Sequence, residues 1–313
     1  MISTFTKIKR KLEKYDCEKQ IKKVLDTPPS SYQKSDDVII FSMIGKKYLA
    51  AYLVAIKSFL YWFNNVNVHI LNDGTLDEED YNILSYHIPG IAISHIADVD
   101  VGDMPHGGCW ERLIKLLDLL QKSYVIQLDS DIVVTGPMTE ISQYIEQKHS
   151  FTIGNPRWSE TASIQYISDI AKKWNSTHVQ TYSEVAMPSL PMFKNTDFKI
   201  TRGCAGFSGF PKGSVNKETL AKFSIQMEKA IGKEKWSEWG SEQVASNFLI
   251  STCSGSHILK WPKYQNFLHP KSNEPIECSC LIHFMGTNRY DKGAYKKTVK
   301  NIITSLNNIK KNI

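Results

Sequence analysis

The stretch that most constrains this chain is Tyr124-Val-Ile-Gln-Leu-Asp129-Ser-Asp131-Ile-Val-Val134, an apolar run carrying two aspartates one residue apart. Apolar runs of this length bounded by polar residues read as buried strands of a parallel sheet. Two carboxylates at the carboxyl end of such a strand lie where open α/β sheets bind ligands. Packed together they repel each other, and the arrangement becomes favourable when a divalent cation neutralises them. A cation held by two protein carboxylates keeps open positions for phosphate oxygens. Asp129 and Asp131 therefore point to metal-assisted chemistry on a phosphate-bearing substrate.

The segments around this run alternate in type. Val38–Met43 reads as a strand and Lys47–Phe63 as a helix. Val66–Leu71 reads as a strand, followed by a turn at Asn72-Asp73-Gly74 and a helix with Asp77 and Glu78 in its first turn. A short strand near Ile91–Ile93 precedes an amphipathic helix over Trp110–Gln121, which leads into the aspartate run. This βαβα order implies a mostly parallel, right-handed open sheet flanked by helices. Residues 155–202, with Pro188, Pro191 and polar clusters, read as irregular, and a second-half module is expected to start near Cys204-Ala-Gly-Phe-Ser-Gly-Phe210.

The two ends differ from the middle in charge. Of a net +6, residues 1–29 hold +4 and residues 291–313 hold +5, which leaves the remainder near −3. Basic character confined to the ends argues against a nucleic-acid groove through the core. Phe5, Ile8, Leu12 and Tyr15 recur at helical steps among lysines and predict an amphipathic helix over residues 2–25, ended by Thr27-Pro28-Pro29. Docking of that helix on the main domain and contact of its basic face with a membrane surface stay open as alternatives. Tyr295, Val299, Ile302, Leu306 and Ile309 repeat the pattern at the other end. The expected organisation is a basic helical extension over 1–30, one α/β domain over 31–290, and a basic helix over 291–313.

Six scattered cysteines without a paired framework read as reduced thiols of a cytoplasmic protein. The N-terminus lacks the apolar core of a signal peptide. Tyr48–Phe63, the most apolar segment, is broken by Lys57 and Ser58 and falls short of the roughly 20 residues of a membrane span. A buried helix is expected there.

Two further clusters carry chemistry. His283-Phe-Met-Gly286-Thr-Asn-Arg289-Tyr290 follows an apolar run. His283 at a strand end can supply a third metal ligand, Gly286 lets backbone approach a phosphate, and Arg289 can bind phosphate bidentately. Trp239-Gly-Ser-Glu242-Gln243-Val-Ala-Ser-Asn247 reads as a loop entering a helix with Ser241 as N-cap. Arg157, Trp158, Trp174, Tyr182, Trp236 and Trp239 offer faces and cations suited to a sugar or phosphorylated acceptor, although most such aromatics are core residues. His106-Gly-Gly108 reads as a mobile substrate loop.

Together these residues resemble the GT-A-fold glycosyltransferases, most closely the retaining family 8 type. Val38–Leu60 is similar to that family's nucleotide-binding start and Val68-His-Ile-Leu-Asn-Asp73 to its second strand. Trp110-Glu-Arg112-Leu through Asp131-Ile-Val-Val is similar to its Arg-Leu helix followed by Asp-x-Asp. Glu242-Gln243 with Asn247 resembles its Asp-Gln-x-x-x-Asn, and His283-x-x-Gly286-x-x-Arg289 its closing His-x-x-Gly-x-x-Lys. The resemblance spans roughly residues 36–290. It implies Mn²⁺ or Mg²⁺ on Asp129, Asp131 and His283, and a diphosphate against Gly286 and Arg289, with Asp129 also on the donor side. It further implies Arg112 at the nucleotide or phosphate and Ser42 near the base or ribose. Glu242 and Gln243 would line the donor sugar's reactive face. The implied reaction is transfer of a hexose from a nucleoside-diphosphate sugar, a UDP-sugar being favoured, to a glycan, lipid-linked or protein acceptor.

Two other readings fit the residues. Asp-x-Asp after a strand also suits haloacid-dehalogenase-type phosphatases, where the first Asp attacks phosphorus. Here only Asp169, Asp197 and Asp291 follow, with no acidic pair among them. A catalytically inactive protein that binds sugar or nucleotide is the third reading.

Overall fold

The computed structural model describes residues 4–267 and 276–309. Residues 2 and 3 of the expected N-terminal helix, and the side chains of Phe5 and Ile309, lie outside the described residues. The chain opens with α1 (Thr4–Lys22), which tightens into a 3₁₀ turn over Lys23–Asp26 before Pro28 and Pro29. Then β1 (Val38–Ile44), α2 (Leu49–Trp62), β2 (Asn67–Asn72), α3 (Glu78–His87), β3 (Ala92–His95), α4 (Trp110–Leu120) and β4 (Tyr124–Leu128) alternate as their patterns predict, with ends displaced by one or two residues. Asp77, expected inside the first turn of α3, is its cap. Its carboxylate accepts from Asp80 N at 3.1 Å, while Asp80 accepts from Asp77 N at 3.1 Å.

Past β4 come β5 (Ile132–Val134), α5 (Thr139–Glu146), β6 (Phe151–Ile153), β7 (Ala162–Ser163), α6 (Ile164–Ala171), α7 (Val179–Ala186) and β8 (Lys199–Ile200). The second half holds β9 (Cys204–Phe210), α8 (Lys217–Ile231), α9 (Lys233–Trp236), α10 (Ser241–Thr252), β10 (His257–Leu259), β11 (Tyr264–Asn266), β12 (Leu281–His283) and α11 (Ala294–Ile309). A seven-stranded sheet runs β10-β6-β9-β4-β1-β2-β3. It is parallel except for β9, which lies antiparallel to both β4 and β6. Side chains of β1 alternate between two cores. Val38, Ile40 and Ile44 join α2 on one face, and Phe41 joins α4 on the other, as period-2 alternation in a doubly covered sheet requires.

Three expectations change. The Tyr124–Val134 run is two strands, because Asp129-Ser-Asp131 turns the chain out of the large sheet. β5 then pairs antiparallel with β12, which pairs parallel with β11. Residues 155–202, read as irregular, hold α6 and α7. Ser163 caps α6 by accepting from Tyr166 N at 3.2 Å. Cys204–Phe210 opens no separate module; as β9 it sits beside β4 inside the main sheet. The N-terminal helix α1, for which docking is one of the open alternatives, docks through Cys17, Ile21 and Val24, whereas Ile8, Leu12 and Tyr15 face outward at 54 %, 63 % and 67 % exposure. Its seat is α2, α11 and the segment Thr287–Gly293. In α11, Tyr295, Val299 and Leu306 are buried and Ile302 is half-buried, in accord with the sequence pattern. No helix among the described residues is long and apolar enough to cross a membrane.

Lys57, inside the apolar α2, is 1 % exposed. Its ammonium donates to Thr27 Oγ1 and Pro28 O, both at 2.6 Å, and lies 3.0 Å from His87 Nδ1. Burial pushes its pKa down from 10.5 to about 8. A folded pKa below the unfolded one means that the unfolded chain binds the extra proton inside that window. Stability from this group therefore rises with pH between about 8 and 10.5 and is lost as pH falls through 8. Over that window the unfolding free energy of the wild type is expected to gain about 3 kcal/mol relative to Lys57→Met, read from denaturant melts. A pH-independent difference would contradict this account.

Candidate metal and anion site

The Asp-Ser-Asp turn is fixed by backbone bonds on both sides. Asp129 N donates to Gly206 O of β9 at 2.8 Å, and Asp131 O accepts from Phe284 N, just past β12, at 2.9 Å. The register of β5 with β12 sets Ile132 opposite His283. Two strands of different sheets thus deliver three ligand-type side chains to one point. One ligand atom from each of Asp129, Asp131 and His283 lies within 4.8 Å of the others.

His283 is 3 % exposed. Its Nδ1 lies 3.1 Å from Asn266 Oδ1 and 3.5 Å from Cys204 Sγ. Its Nε2 lies 3.0 Å from Asp131 Oδ1 and 3.8 Å from Asp129 Oδ2. An Nδ1–H donated to Asn266 leaves Nε2 aimed at the carboxylates, the tautomer that metal-binding histidines use. Burial alone would push the imidazole pKa down, but the Asp131 charge outweighs it and raises it well above the ordinary value. Gly206 supplies the space for the ring, since a Cβ there would overlap His283 Cε1. The donor set, the ring's orientation and its glycine cradle fit an oxygen- and nitrogen-binding divalent cation.

Two arginines neutralise the acids. Arg289 Nη1 lies 2.7 Å from Asp131 Oδ2, while its Nε donates to Gly286 O at 2.7 Å. Gly286 stands at φ 72° and ψ −172°, a conformation favouring glycine, with open space where a Cβ would project. Arg112 Nη1 lies 2.5 Å from Asp129 Oδ1, and its Nη2 reaches both Glu242 oxygens at 3.3 Å. Burial lowers the Arg112 pKa, yet the charges of Asp129 and Glu242 outweigh it and raise it. Burial raises the Glu242 pKa against the pull of Arg112.

Arg112 and Glu242 project from the first turns of α4 and α10, which are tied together where Trp110 Nε1 donates to Ser241 Oγ at 2.9 Å. Ser241 itself is not the N-cap. The cap is Gly240, left-handed at φ 101°, and Ser241 is the first helical residue. Gln243 is half-buried, with its amide 3.5 Å from Gln180 Oε1. Asn247 is buried and clamps Gly203, accepting from its N at 3.0 Å and donating to its O at 3.1 Å. Ser42 is buried, and its hydroxyl donates to Leu128 O at 2.6 Å, so it bridges β1 to β4.

Asp129, Asp131, His283, Arg289, Arg112 and Glu242 thus form one connected ionic cluster. The sequence reading missed Asn266, Cys204 and Gly206, which orient His283, and Gln180, which meets Gln243. Only Gly206 left a signal, as a glycine inside an apolar strand. Among the aromatic candidates Trp158 and Trp236 are core residues, whereas Trp239 is 73 % exposed and meets His178 edge to face at 6.0 Å.

Removing Arg112 would leave two carboxylates without their main counter-charge. Arg112→Met is expected to lower stability by about 3–5 kcal/mol in denaturant melts at neutral pH. Adding Glu242→Gln to it should recover part of the loss, because one unpaired buried charge disappears. A full double-mutant cycle measures the coupling, and additive effects would show that the pair does not interact.

No family model and no curated protein matches the sequence. Solved structures match by shape. The galactosyltransferase LgtC in complex with donor and acceptor sugar analogues superposes with a TM-score of 0.51 at 12 % identity, over 86 % of this chain and 95 % of that one. An active-site mutant of LgtC gives a TM-score of 0.51 at 11 % identity over the same shares. At this identity the likeness speaks to architecture, and with the mostly parallel sheet flanked by helices it shows that the chain adopts the GT-A fold.

Proposed function

We propose that this protein is a metal-dependent glycosyltransferase that moves a hexose from a nucleoside-diphosphate sugar to a glycan, lipid-linked or protein acceptor. The observation that carries the reading is the convergence of Asp129, Asp131 and His283 at the end of β4, flanked by Arg289 and Arg112. Support comes from the shared fold with LgtC, a galactosyltransferase crystallised with donor and acceptor analogues. A phosphatase reading finds little support, because Asp129, its required nucleophile, is held by Arg112. No other cluster of three metal-binding side chains is found among the described residues.

In this reading Asp129, Asp131 and His283 hold Mn²⁺ or Mg²⁺. The ion supplies positive charge against the donor's diphosphate. Arg289 exchanges Asp131 for the diphosphate, whose growing charge it stabilises as an oxocarbenium-like sugar forms. The backbone at Gly286 lets the phosphates approach. Arg112 holds Glu242 and Asp129 in place, while Glu242 and Gln243 line the sugar's reactive face. The favoured donor is a UDP-sugar, and the favoured outcome is retention. Ser42 contributes to the base or ribose side as part of the strand floor, because Leu128 engages its hydroxyl.

A thermal-shift screen of nucleoside diphosphates, each with and without Mn²⁺, tests this. One nucleotide is expected to stabilise the protein only with the metal, by about 2.7 kcal/mol at a hundredfold excess over Kd. Asp131→Ala should abolish that shift and the transfer activity while the protein stays folded. Turnover of a simple phosphomonoester without nucleotide would overturn the proposal. Gly206→Ala is expected to displace the His283 ring and to weaken Mn²⁺ binding roughly 10- to 100-fold by calorimetry. Unchanged affinity would remove His283 from the ligand set.

A further inference from the structure

The outward face of α1 has a composition that docking on the protein does not explain. Ile8, Leu12 and Tyr15 are all more than half exposed. At 3.6 residues per turn they share an arc of about 100° with Lys11, Lys19 and Lys22. These lysines are exposed and form no ion pair among the described residues. The helix's three acids are all engaged elsewhere. Glu13 lies 3.9 Å from Lys9, Glu18 lies 3.7 Å from Lys14, and Asp16 pairs with Lys296 of α11. The outward stripe is therefore apolar and positively charged, without local compensation. On its inward side α1 packs against Thr287–Gly293, and Arg10 lies 3.2 Å from Asp291. That segment carries Arg289.

We propose that this face of α1 seats on an anionic lipid bilayer. The charge pattern selects the occupant. Three uncompensated lysines around an apolar stripe complement lipid phosphates, with the apolar side chains at the headgroup–acyl boundary and the lysine stems extended along it. Pairing with the same face of a second copy would bring like charges together, so a symmetric dimer is disfavoured. Three lysines near an anionic surface together contribute roughly a hundredfold to partitioning. The helix lies parallel to the membrane plane, and the loop bearing Arg289 is held on its protein side. The inference stands on the helix itself and holds whatever reaction the site performs.

Co-sedimentation of the full chain with vesicles tests it. The protein is expected to bind phosphatidylglycerol–phosphatidylcholine vesicles, to release at high salt, and to ignore pure phosphatidylcholine. The triple variant Ile8→Gln, Leu12→Gln, Tyr15→Gln should lose binding. The variant Lys11→Gln, Lys19→Gln, Lys22→Gln should lose roughly a hundredfold of it. Both should keep the wild-type circular dichroism and Tm, because all six positions are exposed. Absence of vesicle binding, equal binding to neutral vesicles, or binding untouched by either variant would overturn the proposal. So would self-association in light scattering that the glutamine variant of the apolar residues abolishes, because the stripe would then join two copies.

Discussion

Three carboxylates, two guanidiniums and an imidazole meet at the end of β4, and much of the surrounding chain is arranged to hold them. Asp129 and Asp131 cannot both be charged and close together without counter-charges, which Arg112 brings from α4, and His283 and Arg289 from the end of β12 and the segment after it. Each contributor is itself fixed. Arg112 is set by the Trp110–Ser241 bond between two helix starts, His283 by Asn266 and the missing side chain of Gly206, and Arg289 by the backbone of Gly286. The helices, the antiparallel β9 and the small sheet are joined through this cluster as well as through apolar packing.

The cluster also gives one arginine two candidate partners. Arg289 Nη1 lies against Asp131 and neutralises it directly. In the proposed function the same arginine is the group that a diphosphate attracts, and the metal takes over its role at Asp131. The cation that neutralises Asp131 and the cation that stabilises a leaving group are then one side chain in two positions.

The first half of the fold is legible because its signals are local. Val38, Ile40 and Phe41 alternate faces, Trp110–Leu120 repeats at helical period, and Gly74 marks a turn. The second half is less so. α6 and α7 are eight residues each, too short for a strong periodic signal, and α7 ends just before Pro188. The docking side of α1 stays open in the sequence because periodicity identifies an apolar face without saying which side meets the protein, and Cys17, Ile21 and Val24 form a second such row. At the site, Asp129, Asp131, His283 and Arg289 were readable from residue type and spacing. Asn266 and Gln180 were not, because a single amide in a loop or helix carries no pattern until the fold brings it against a partner.

The break between β4 and β5 places the candidate ligands at a seam. Asp129 belongs to the large sheet, through its bond to Gly206, while Asp131 and His283 belong to the small one. A divalent ion bound there would rivet one sheet to the other. Its occupancy would then set the mechanical stiffness of the molecule along the line where β5, β12 and the Arg289 segment leave the main body. Cation content and rigidity would be two readings of a single bond network.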